Sequence, residues 1–193
     1  MIKLITQSIK QTILWTIVAG ILYPIAITIV AQLAFHNQAN GSLLYRNGTM
    51  VGSELIAQQF QTPRYFWPRP SAGSYATVPS GASNYGPTSQ KLQAAVKSNA
   101  DALRKANNLP ADAPVPADLV FTSASGLDPH ISPEAAQFQI ARVASARGIS
   151  QDKVKTLVEK FIEPRQWGFL GEPRVNVLKM NLALDELDAK QKD

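Results

Sequence analysis

The chain has 193 residues, 45% of them hydrophobic, with no cysteine, two histidines and a formal net charge of +5. Without cysteine there are no disulfide staples, no thiol catalysis and no cysteine metal ligands, and His36 and His130 alone are too few for a dedicated transition-metal site. The 19 Lys and Arg outnumber the 14 Asp and Glu only mildly, and they are spread along the chain rather than clustered on one stripe, which argues against nucleic acid as a partner.

Residues 13–35 form an apolar run without formal charge, and Lys3 and Lys10 are the only charged side chains before Arg46. As a helix the run is about 34 Å long, enough for a hydrocarbon core of about 30 Å. A signal peptide has a shorter apolar region and a small-x-small cleavage site, which the stretch after Phe35 lacks. A soluble core helix would show a polar face at 3.6-residue spacing, whereas Thr16, Tyr23, Thr28 and Gln32 are scattered through the run. The reading is a single-pass membrane helix, with residues 1–12 as a short cytoplasmic N-terminus by the positive-inside bias. Residues 36–193 then form one extracytoplasmic domain. Pro24 predicts a kink that a neighbouring helix can accommodate. Gly20, Pro24 and Gln32 are the expected helix contacts within the membrane, the alternative being plain contact with lipid.

Beyond the span, Leu43-Leu44-Tyr45-Arg46 and Thr49-Met50-Val51 bracket Asn47-Gly48, a strong hairpin signal because both turn residues tolerate positive φ. A short helix is expected over 53–60. Ten of the 13 prolines lie between Pro63 and Pro133, so turns and short extended pieces dominate the middle of the chain. The spacing of Leu92, Val96, Leu103 and Ala106 predicts an amphipathic helix from Ser89 to about Asn107. Residues 118–123 read as a strand buried on both faces. Ser132 with Pro133 opens a helix that Gly148 closes, and Ser150 opens the next, with Val154, Leu157, Val158 and Phe161 inward. A last helix is expected from Asn176. The fold class is therefore α+β: one N-terminal transmembrane helix, then a single extracytoplasmic domain with a small sheet and several helices.

Two polar stretches carry the candidate chemistry. Ser125, Asp128 and His130 sit close together in sequence, but hydrolases assemble such groups from distant segments, with histidine between nucleophile and acid. Turns and a helix cap account for them better, and the alternative function is a membrane-anchored periplasmic hydrolase using these three residues. The second stretch holds Tyr65, Phe66, Trp67 and Arg69 among prolines and lacks the lysine of a phosphate loop. Aromatic and Arg enrichment on a rigid backbone suits a partner-facing surface, the alternative being that Tyr65, Phe66 and Trp67 cap the core and Arg69 binds loop carbonyls. Tyr65, Phe66, Arg69, Ser125 and Asp128 are accordingly expected partner contacts, and no catalytic or metal-binding residue is assigned.

Several segments in register resemble the C subunit of the Kdp-type potassium-transporting P-type ATPase, the KdpC family. They include Tyr23-Pro24, Gln38-Ala39-Asn40-Gly41-Ser42-Leu43, Tyr65-Phe66 with Arg69-Pro70-Ser71, Ser123-Ala124-Ser125-Gly126-Leu127-Asp128, Ile131-Ser132-Pro133, Arg142-Val143-Ala144 and Val175-Asn176-Val177. The resemblance implies a non-catalytic subunit in the cell inner membrane, its C-terminal domain in the periplasm. Its implied partners are a channel-like A subunit, an ATP-hydrolysing B subunit and a small F subunit. It further implies that the chain raises the ATP affinity of the B subunit, and that Gln32 matches a glutamine of the family proposed to contact ATP, with Ala31 where that signature has glycine. The topology puts Gln32 at the outer end of the span, so an indirect effect on ATP binding is the expectation.

Overall fold

A computed structural model describes residues 1–189; the last four residues assigned to the extracytoplasmic domain lie outside the described residues. The N-terminal apolar segment is helical from Ile2, earlier than the expected span begins. Helix α1 (Ile2–Ile17) passes through a π-helical turn (Val18–Leu22) into α2 (Tyr23–Ala34). The π turn is the structural answer to Pro24, which has no N–H and whose ring would press on the carbonyl of Gly20 in a regular helix. Widening the preceding turn relieves that clash, and the Tyr23 N–H donates to the Val18 carbonyl instead. The continuous helix, Ile2–Ala34, is about 50 Å long and has none of its most apolar window buried within the chain.

One helical turn, α3 (His36–Ala39), leads into the domain. The hairpin of β1 (Leu43–Arg46) and β2 (Thr49–Ser53) forms as the Asn-Gly signal requires, with Asn47 at φ 49° and Gly48 at φ 77°. A bulge between Leu44 and Tyr45 shifts the register, so that Leu44 faces Gly52 while Tyr45 faces Met50. The helix expected over 53–60 is absent. That segment turns once after Ser53 and then runs extended, held by Gln58, whose Nε2 donates to the Val51 carbonyl at 2.8 Å.

Helix α4 (Gln90–Ala106) follows the proline-rich stretch and buries Ala100 and Leu103. The strand expected over 118–123 is also absent. A 3₁₀ turn (Ala117–Leu119) stands there, because Asp118 is committed to the Ser132 N–H (2.7 Å) and hydroxyl (3.2 Å). Leu119 and Val120 still enter the core, as the expected burial required, but from a turn. A three-stranded antiparallel sheet in the order β3 (His130–Ile131), β5 (Arg174–Asn176) and β4 (Ile162–Glu163) pairs Ile131 and Ile162 on either side of Val175.

Helices α5 (Pro133–Arg147), α6 (Gln151–Phe161) and α7 (Val177–Ala189) pack around this sheet. Their starts follow from local chemistry. Ser132 accepts from Ala135 N–H, Ser150 from Lys153 N–H, and Asn176 Oδ1 from Lys179 N–H. Gly148 ends α5 in the left-handed region at φ 68°, where a Cβ is disfavoured. The core joins Phe66, Leu103, Leu119, Ile131, Val143, Val154, Val158, Val175, Met180 and Leu184. The chain thus combines one apolar N-terminal helix with a mixed helix-and-sheet domain.

Candidate functional site

The first candidate surface lies on the N-terminal helix. Thr12, Thr16, Gly20, Pro24, Thr28 and Gln32 recur at every fourth position, so three of the residues that look scattered in the sequence, Thr16, Thr28 and Gln32, lie on one ridge, while Tyr23 lies off it. In a straight α-helix a four-residue step overshoots one turn by about 40°, and such a ridge would wind around the axis. The wider π turn at Val18–Leu22 takes back part of that drift and keeps Thr16, Gly20 and Pro24 on a common side. The Thr28 hydroxyl donates to the Pro24 carbonyl one turn back, at 2.8 Å. Gly20, Pro24 and Gln32 are all exposed within the chain. Small and polar residues on a four-residue ridge allow two membrane helices to approach closely.

At the domain end of this ridge, Gln32 Oε1 accepts from Asn40 Nδ2 at 3.1 Å, and the same nitrogen donates to the His36 carbonyl at 2.7 Å. Ser42 N–H donates to the Asn37 carbonyl, and the Ser53 hydroxyl donates to the Gly41 carbonyl at 2.7 Å. The end of the span is thereby latched to the start of the hairpin.

The second candidate surface is the aromatic segment 65–69. Phe66, expected to face a partner, is instead a core side chain with 0% exposure. The physical reason is a set of polar side chains that sequence reading missed. Asn181 Oδ1 accepts from the Phe66 N–H at 2.9 Å and its Nδ2 donates to the Phe66 carbonyl at 2.9 Å. Gln139 treats Trp67 in the same way, accepting at 2.8 Å and donating at 3.2 Å. Each carboxamide completes both backbone bonds of one residue, as a neighbouring strand would, so an extended segment is buried without a sheet.

Arg142 donates to the Pro63 and Tyr65 carbonyls at 2.9 and 3.0 Å and stacks 4.2 Å from the Trp67 ring. Burial lowers its guanidinium to about 10. The signal is present in the sequence: Gln139 and Arg142 interrupt the apolar face of α5, and Asn181 interrupts that of α7. Such interruptions mark buried polar groups with designated partners.

Tyr65 is half-buried against Phe60, with ring centroids 5.2 Å apart, and its hydroxyl donates to Asp185 at 3.1 Å. Asp185 also takes Arg46 (2.6 Å) and Arg147 (2.9 Å). Burial pushes the Asp185 carboxyl up, but the hydrogen bonds from Arg147, Arg46 and Tyr65 outweigh it and hold the group below the usual carboxylate range. This carboxylate ties the hairpin, the aromatic segment, α5 and α7 together.

The third candidate surface is the loop 123–130. Arg69 Nη1 donates to Asp128 Oδ2 at 2.9 Å, and His130 contributes its N–H to Asp128 Oδ1 at 3.0 Å with its ring Nδ1 3.6 Å from the same oxygen. Burial pushes the Asp128 carboxyl up, yet the bonds from His130 and Arg69 lower it overall. Ser125 is not brought to this pair. Its hydroxyl accepts from the Leu127 N–H at 3.1 Å, closing a local turn. Gly126, at φ 70°, passes so near the Gly81 carbonyl that a Cβ would lie 3.0 Å from it. Asp128 and His130 thus pair without Ser125, and Ser132, which lines the same cavity as both, gives its hydroxyl to Asp118.

Comparison with known proteins places the chain. The family described as KdpC, K+-transporting ATPase, c chain, matches residues 5–186. A potassium-transporting ATPase KdpC subunit of Methylococcus capsulatus is 53% identical over 191 residues, covering 97% of this chain and all of the relative. The subunit of the same name from Paraburkholderia phytofirmans is 53% identical over 89% of this chain and 91% of the relative. That of Mycobacterium tuberculosis (strain CDC 1551 / Oshkosh) is 50% identical over 93% of this chain and 96% of the relative. The chain belongs to the KdpC family.

Proposed function

We propose that this KdpC-family chain is a non-catalytic accessory subunit of a potassium-transporting ATPase, anchored by residues 13–35 in the cell inner membrane. Residues 1–12 lie in the cytoplasm and the domain from residue 36 lies in the periplasm, following the lysines ahead of the span. The subunit holds the channel-like A, ATP-hydrolysing B and small F subunits in the arrangement that binds ATP well. The observation that carries this reading is the exposed ridge of Gly20, Pro24 and Gln32, which supplies a helix-packing surface that the chain does not use on itself.

The effect on ATP is indirect. Gln32 is hydrogen-bonded to Asn40 at the domain end of a helix long enough to cross the membrane, which supports a structural role for it rather than contact with cytoplasmic ATP. Coupling of this kind requires only that the subunit bind one state of the assembly better than another. Purification of the complex through a tag on the full-length chain tests the reading. Gly20→Leu is expected to reduce recovery of the other subunits, and Gln32→Ala to leave half-saturation by ATP unchanged in complexes that do assemble. A Gln32→Ala complex with normal subunit content and strongly weakened ATP binding overturns the indirect mechanism in favour of direct contact.

A further inference from the structure

The β1–β2 hairpin has two unlike faces. Leu44 and Arg46 point to the domain: Leu44 is half-buried opposite Gly52, where a Cβ would lie 3.0 Å from Leu178, and Arg46 reaches Asp185 on α7. Alternation along the strand turns Leu43 and Tyr45 the other way, and Met50 pairs with Tyr45 across the ladder. These three side chains are 41, 62 and 57% exposed. The hairpin forms a sheet by itself among the described residues, so this apolar face is covered by no other strand.

The occupant of this face follows from its tether. If residues 13–35 fill the hydrocarbon core, the interfacial layer extends only about 5–8 Å further on each side. The chain between Ala34 and Leu43 does not use its reach to climb out of that layer. It coils into α3 and is pinned by Gln32–Asn40, Ser42–Asn37 and Ser53–Gly41 hydrogen bonds. Leu43 therefore starts within interfacial depth. Phe35, which closes the apolar run of the span, is likewise 58% exposed. Arg46 is spent on Asp185, so the face offers apolar surface and one phenol rather than charge. Tyrosine flanked by aliphatic side chains is the composition favoured at the water–lipid boundary.

We propose that the outer face of the β1–β2 hairpin, formed by Leu43, Tyr45 and Met50, dips into the lipid interface at the domain end of the span. It acts as a second membrane contact that fixes the height and orientation of the domain, through apolar insertion and without preference for anionic headgroups. The proposal rests on the reading that residues 13–35 cross the membrane.

Nitroxide labels on single cysteines test it, in the full-length chain in phosphatidylcholine vesicles and again in the assembled complex. Ile25→Cys reports on the span, Tyr45→Cys and Met50→Cys on the hairpin face, and Ser98→Cys, exposed on α4, serves as the aqueous reference. Relative to Ser98→Cys, the collision ratio of oxygen to a polar nickel chelate is expected to rise several-fold at 45 and 50 and further at 25, and to stay unchanged when phosphatidylglycerol is added. An oxygen-rich signal at 25 with positions 45 and 50 equal to 98 overturns the proposal and leaves the span intact. A water-like signal at 25 overturns the span reading itself. Labels at 45 and 50 shielded from both reagents in the complex overturn lipid in favour of a protein neighbour.

Discussion

Helices α5 and α7 and the N-terminal helix each set polar residues into apolar sequence, with opposite outcomes. In the domain, Gln139, Arg142 and Asn181 are buried, and each meets the backbone of segment 63–67. In the N-terminal apolar helix, Thr16, Gly20, Pro24 and Gln32 are exposed and lie on one ridge. The domain thus spends most of these polar groups within one chain, Arg142 Nε being the one left without a hydrogen-bond partner among them, while the N-terminal helix leaves its ridge exposed. Substitutions in the first region should unfold the domain, and substitutions in the second should disperse the complex while leaving the domain folded.

The largest expected effect lies in the domain. Phe66→Ala removes a fully buried ring and should cost about 3–5 kcal/mol in urea unfolding of the detergent-solubilised chain. Asn181→Leu is next. It keeps the volume but strands the buried Phe66 N–H and carbonyl, for about 2–4 kcal/mol. Recovery of stability by Gln at this position would show that the carboxamide, rather than side-chain volume, is what matters.

Asp185→Asn should cost about 1–3 kcal/mol at neutral pH. Because the folded carboxyl titrates below its unfolded value, its contribution is complete above about pH 4 and is lost as pH falls through the lower folded value. The melting curves of the wild type and the Asp185→Asn variant should therefore converge on acidification, and a gap that is constant with pH would remove Asp185 from the network. Gly20→Leu should alter domain stability by less than about 0.5 kcal/mol while reducing copurification of the other subunits. A matching loss of domain stability would erase the contrast between the two regions. The smallest effect on the assembled complex is expected at Ser125→Ala, which loses one local turn bond of about 0.5–1.5 kcal/mol and no ATP turnover.

Elements whose causes are local are legible in the sequence. Asn47-Gly48, Ser132-Pro133, Gly148, Ser150 and Asn176 each act within a few residues, and each marks a turn or helix boundary in the structure. Two segments escape such a reading because distant or non-periodic partners decide them. Residues 53–60 unwind against Gln58, and Asp118 leaves its expected strand to hold Ser132, fourteen positions away. Phe66 departs from its expected surface position for the same reason. Its burial depends on Asn181, far along the chain, and no pattern near Phe66 reports it. The ridge on the span is half legible, since the four-residue step from Gly20 to Pro24 stands in the sequence, but that the two share a common side with Thr16 emerges only once the π turn is known.

That turn sets the azimuth between the two ends of the membrane helix. Its extra residue is taken up within the turn itself, so deleting one residue there would leave the two ends close to their present bearing, whereas drawing all five residues into plain α-helix would swing them by about 100°. Lys3 and Lys10 would then point about a quarter-turn away from their present direction relative to Gln32 and the hairpin. In this chain the bearing of the domain relative to the start of the N-terminal helix is thus set by the hydrogen-bond pattern of five residues, Val18 to Leu22, that lie outside the domain core.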